Sequence, residues 1–194
     1  MQTETEENGP PPGLVRRSLD ALYLAAGIVA GIFLLVIFVL MMALSLGRQI
    51  GFNIPAGDEF AAWSMAAMAF LGLAHTFRSG EMIRVGLLVD RLSGRARHYV
   101  EIVCLVVGLG FVGYFTWYAV KFTYYSWLTN DMAQGVVPMK MWIPQLGFSG
   151  GLLILTIAFI DELVFVLQGN RPRYEKEPPK TAEEAVERAI ASAV

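Results

Sequence analysis

Four stretches of the chain carry almost no charge over membrane-spanning lengths, and this constrains the fold more than any other feature. Residues 21–46 run for 26 positions without a charged side chain. Residues 60–77 run for 18 with only His75 intruding, and residues 102–120 and 142–160 for 19 each. A bilayer core of about 30 Å is crossed by about 20 helical residues. Backbone groups in hydrocarbon must be satisfied within a helix or a closed barrel, and barrel strands would alternate in polarity over about ten residues. These runs do not alternate, so the sequence predicts an all-α integral membrane protein with four transmembrane helices. The first run is too long for the apolar region of a signal peptide and lacks a convincing A-x-A cleavage site, so it reads as a retained span. It is longer than a crossing needs and so should tilt or project. Pro144 falls in the first turn of the fourth run, where a missing N–H is harmless.

Composition narrows the function classes. Only 16% of residues are charged, against about 25% in ordinary soluble domains. A net charge of −2 with no isolated basic patch gives no support to a nucleic-acid partner. The single cysteine, Cys104, excludes an internal disulfide and a cysteine-built metal centre.

Four spans place both termini on one side of the membrane. The N-tail, the 78–99 connection and the C-tail together hold twelve of the fifteen Lys and Arg residues, and the other two connections hold Arg48, Lys121 and Lys140. By the positive-inside rule the termini are expected in the cytoplasm. The tryptophans fit that orientation. Trp63, Trp117, Trp127 and Trp142 all fall near the outer ends of the expected spans, where indoles anchor at headgroup level.

The chain then divides into a cytoplasmic N-tail over 1–18, a membrane domain over 19–168 and a cytoplasmic C-tail over 169–194. The first thirteen residues, MQTETEENGPPPG, have the composition of a disordered segment. Asp58 and Glu59 stand before the second span, placed to complement a helix N-terminus. Between the second and third spans, Val85, Leu88, Val89 and Leu92 recur on one helical face flanked by Arg84, Arg91 and Arg95. This pattern predicts a short amphipathic interfacial helix over 82–97 or a cytoplasmic extension of the second span, either ending at Ser93-Gly94. In the C-tail, Thr181 to Glu184 can form a capping box for a short helix.

Polar groups within or beside spans are the candidates for chemistry. His75 and His98 both lie away from mid-bilayer depth, a poor arrangement for axial haem ligands. Asp161 and Glu162 directly follow the fourth run, near a helix C-terminus whose dipole they oppose. A compensating cation is expected there, with Arg78 or Arg84 on the same side. No buried carboxylate cluster, catalytic triad, phosphate loop or interrupted span pair is present, so no catalytic residue, substrate site, metal or cofactor is expected. The spans instead carry small residues suited to helix packing: Gly27 and Gly31, Gly108, Gly110 and Gly113, Gly147 and Gly151, and the alanines of the second span.

The stretch FLGLAHTFRSGEMIRVGLLVDRLSGRARHYVEIV over 70–103 resembles the central motif of the small, DctQ-like membrane subunit of tripartite ATP-independent periplasmic (TRAP) transporters. It matches at Phe70, Leu71, Gly72, Ala74, Arg78, Gly80, Glu81, Ile83, Arg84 and Val85. It departs at Met82, where His is usual, and at Gly86, where Asp is usual. The approach to the fourth span, with Pro138, Trp142, Pro144 and Gly147, is also similar. The resemblance covers about 15–168. It implies a non-catalytic subunit in a bacterial inner membrane that scaffolds a large permease subunit. That permease takes up an organic acid with sodium after delivery by a periplasmic binding protein. It further implies that Arg78, Gly80, Glu81, Ile83, Arg84 and Val85 form a subunit or lipid interface. The competing readings are a four-helix haem-binding membrane anchor and a self-sufficient homo-oligomeric small transporter.

Overall fold

The structure is a computed structural model that describes residues 14–52, 54–79 and 94–168. It contains four long helices: α1 Leu14–Gln49, α2 Gly57–Ser79, α3 Gly94–Leu128 and α4 Trp142–Leu167. All four are long and apolar enough to cross a membrane. Among the described residues there is no strand beyond one isolated antiparallel bridge between Met132 and Lys140.

All four helices outrun their uncharged stretches at one or both ends. The 36 residues of α1 measure about 54 Å at 1.5 Å per residue, well beyond a bilayer core. α3 begins at Gly94 and not near 102. Its opening GRARHYVE is polar but contains no helix breaker after the glycine, and charge beyond the hydrocarbon carries no penalty. The expected interfacial helix is therefore not seen as such. Residues 94–97 are the first turn of α3, 80–93 lie outside the described residues, and Gly94 opens a helix where Ser93-Gly94 had been expected to end one. The N-terminal thirteen residues and the C-tail with its expected capping box also lie outside the described residues.

The helix ends follow local chemistry. α1 closes as a Schellman turn: Gly51 takes φ +77° and the Phe52 N–H donates to the Gly47 carbonyl at 2.9 Å, the 6→1 bond that glycine at this position permits. Asp58 and Glu59 occupy the first turn of α2, and Arg78 its last, each complementing the helix dipole.

In space the helices follow the order α1, α2, α4, α3. α2 packs between α1 and α4, and α3 packs on α4. The proximal end carries the start of α1, the end of α2, the start of α3 and the end of α4; the distal end carries the turns between α1 and α2 and between α3 and α4. Small residues set the central seam. A Cβ added at Gly147 would meet the Ala67 Cβ at 2.6 Å, and one at Gly151 would meet the Phe70 carbonyl oxygen at 2.6 Å, so α2 and α4 approach nearly backbone to backbone. The α3–α4 seam adds a hydroxyl pair, Thr116 Oγ1 and Thr156 Oγ1 at 2.7 Å, and Phe159 lies over Gly108. Gly31, Gly110 and Gly113 face open space, so the small-residue pattern overstates the packing there. The main core cluster gathers Tyr23, Ala74, Phe77, Leu105, Leu155, Ala158 and Val166, with Phe77 stacked on Phe159 at 4.2 Å. The outward faces of α1 and α3 are lined with exposed large apolar side chains, the surface a lipid-embedded helix presents.

Candidate functional site

The described residues contain no group of three or more His, Cys, Asp or Glu side chains able to hold a metal ion. What they do contain is a charged hub at the proximal end. Arg78, in the last turn of α2, donates from Nη2 to Asp20 Oδ1 of α1 at 2.8 Å and from Nη1 to Asp161 Oδ2 of α4 at 3.5 Å. Its guanidinium carbon sits 5.9 Å from the centre of the Tyr23 ring, within cation–π range. A planar fork of donors suits this bridging between two carboxylates from different helices better than an ammonium would.

Arg78 and Asp161 are mostly shielded, at 20% and 23% side-chain exposure, while Asp20 is at 47%. Arg78, one of the two cations expected beside Asp161, is thus found there, and Arg84 lies outside the described residues. Glu162, one residue on, is buried at 3% exposure on a different face of α4. Asp20 was not singled out in the sequence. It lies one residue before the first apolar run, and only the fold brings it to the end of α2.

His75 lies one turn before Arg78. Its imidazole occupies the space over Gly27, where an added Cβ would fall 2.8 Å from Cγ. The Gly27 position thus gives the ring a seat between α1 and α2. His98 is on α3, whose main packing partner is α4 and not α2.

At the distal end Glu59 does something the sequence did not signal. Its carboxylate accepts the Val136 N–H at 3.4 Å and lies against Gly135 so closely that no Cβ fits there. The loop from Thr129 to Met141 is closed by its own backbone bonds, Ala133 N–H to Met139 O at 2.7 Å and Met141 N–H to Asp131 O at 2.9 Å. Glu59 pins this closed loop to the start of α2. The glycine at 135 was the available clue.

The remaining expected positions divide. Trp63 packs edge-on against Phe60 at 5.3 Å near the start of α2, Trp142 opens α4, and Trp127 lies one residue before the end of α3, so these three share the distal end. Because α3 continues to Leu128, Trp117 lies about 15 Å nearer the start of the helix than Trp127. Of the six residues expected at a subunit or lipid interface, Arg78 is described, and Gly80, Glu81, Ile83, Arg84 and Val85 lie outside the described residues.

A family model described as tripartite ATP-independent periplasmic transporters, DctQ component, matches residues 37–169. The match runs from the middle of α1 to the end of α4 and includes Arg78 and Asp161 but not Asp20. No curated protein matches the chain.

Proposed function

The chain belongs to the DctQ family, the small permease component of TRAP transporters, and from that premise we propose that it scaffolds the large permease subunit without itself binding the transported solute. The family match over 37–169 carries the reading. It is supported by what the helices are built for. Among the described residues Thr116 and Thr156 are spent on a hydrogen bond across the α3–α4 seam, and the charged groups of the proximal hub on holding α1, α2 and α4 together.

In this proposal the complex lies in a bacterial inner membrane and takes up an organic acid with sodium, the acid being delivered by a periplasmic binding protein. The proximal end faces the cytoplasm, because twelve of fifteen Lys and Arg residues fall on its connections and tails. Arg78, at the start of the motif, fixes the end of α2. Gly80, Glu81, Ile83, Arg84 and Val85 follow at the membrane surface and meet the large subunit or lipid headgroups. The distal end, with its closed 129–141 loop, faces the periplasm.

The test is recovery from membranes. A tagged full-length chain released in mild detergent is expected to bring with it a large polytopic permease in near-equal amount, and Arg84→Ala to reduce that recovery. Isolation of the chain alone, with the partner present in the same membranes, would overturn the proposal.

A further inference from the structure

At the distal end a cavity of about 430 Å³ opens between the last turns of α1 and the first turn of α2, lined by Met41, Leu44, Ser45, Arg48, Gln49 and Asp58. It is an open groove: Met41, Ser45, Arg48, Gln49 and Asp58 are exposed and Leu44 is buried. Its lining is ordered along the membrane normal. Met41 and Leu44 form an apolar floor, and Leu44 is fixed by its contact with Gly57, where an added Cβ would come within 2.6 Å of Cδ2. Arg48 lies about 10 Å further along α1 than Met41, at the point where the uncharged run ends. Asp58 faces the same cavity from α2. Both charged side chains are exposed, and neither forms an ion pair with a described residue.

A single cation and a single carboxylate over an apolar floor select among ligands. A free phosphate or an anionic lipid would gain Arg48 but meet Asp58 unscreened. A metal ion would find one carboxylate and an opposing guanidinium. A headgroup carrying both charges satisfies both walls. We propose that this cavity holds a zwitterionic phospholipid of the ethanolamine type, its phosphate on Arg48, its ammonium on Asp58 and its acyl chains running down past Leu44 and Met41. Guanidinium–phosphate pairing is the strong contact, and the carboxylate supplies the headgroup preference. The site does not depend on which membrane protein the chain joins.

The test uses the full-length chain in mild detergent, offered equal amounts of dioleoyl phosphatidylethanolamine and dioleoyl phosphatidylglycerol, with retained lipid read by native mass spectrometry. Wild type is expected to retain the ethanolamine lipid in preference. Arg48→Gln should retain roughly tenfold less of it, the factor expected for losing one hydrogen bond to a charged group. Asp58→Asn should still retain lipid but without headgroup preference. Both side chains are exposed, so these variants are expected to fold, and Arg48→Lys should keep most of the retention. Equal or greater retention of the glycerol lipid by wild type, or unchanged ethanolamine-lipid retention by Arg48→Gln, would overturn the assignment.

Discussion

Arg78 Nη2 stands 2.8 Å from Asp20 Oδ1, so the last turn of the second helix is tied to the first helix across 58 residues of sequence. The same guanidinium reaches Asp161 of the fourth helix at 3.5 Å. One cation therefore serves two carboxylates, and removing it takes a shared partner from both.

Arg78→Gln is accordingly expected to lower the melting temperature of the detergent-solubilised chain more than Asp20→Asn does. Asp20 is half exposed and its pairing is worth on the order of 1 kcal/mol at most, whereas losing Arg78 takes a partner from Asp20 and from the mostly shielded Asp161 at once. A double-mutant cycle of Arg78→Gln with Asp161→Asn should recover part of the loss. Strictly additive effects would mean that the two side chains do not interact.

The glycines make a prediction that separates packing from pattern. Gly151→Ala places a methyl against the Phe70 backbone, where neither helix can yield cheaply, and should destabilise the chain by roughly 1–3 kcal/mol. Gly31→Ala and Gly150→Ala, which meet nothing within 4 Å, should be neutral or slightly stabilising. Thermal unfolding of the three variants in one detergent checks the ranking.

Gln145 is 5% exposed, and neither amide atom has a hydrogen-bond partner among the described residues. A buried unpaired amide costs about 1–3 kcal/mol. Gln145→Met, of similar volume, is expected to raise thermal stability, with no loss of partner recovery. A drop in stability would show that the amide is satisfied in the membrane.

Much of the fold was legible before any coordinates. Uninterrupted apolar runs announce spans because lipid offers no partner for a backbone group. Adjacent carboxylates at Asp161 and Glu162 announced a cation because they interrupt an apolar run, although α4 runs on to Leu167 and leaves both short of its last turn. The boundaries were less legible. α3 starts at Gly94 because helix continues happily into water, so the hydropathy edge near 102 marks the hydrocarbon and not the helix. The same effect leaves Trp117 eleven residues before the end of a helix that runs on to Leu128. Gly27 and Gly31 share a motif, yet only Gly27 meets a neighbour, since which face turns inward depends on helix order in space. Asp20 and Glu59 escaped for that reason too: each acts on a segment more than fifty residues away.

Glu59 gives the prediction that reports on the distal loop. Glu59→Ala removes the acceptor of the Val136 N–H and should speed amide hydrogen exchange over 133–139 while leaving exchange at Phe70 and Gly151 in the central seam unchanged. Unaltered exchange in the loop would mean that its own backbone bonds suffice to hold it.

The central claim is that this chain braces a transporter without moving the solute itself, and uptake into sealed vesicles tests it most directly. Vesicles holding the chain alone, with a sodium gradient and a labelled organic acid, are expected to accumulate nothing above empty vesicles. Vesicles that also hold the large permease, supplied with the binding protein, are expected to accumulate the acid. Gradient-driven accumulation by the chain alone would contradict the account.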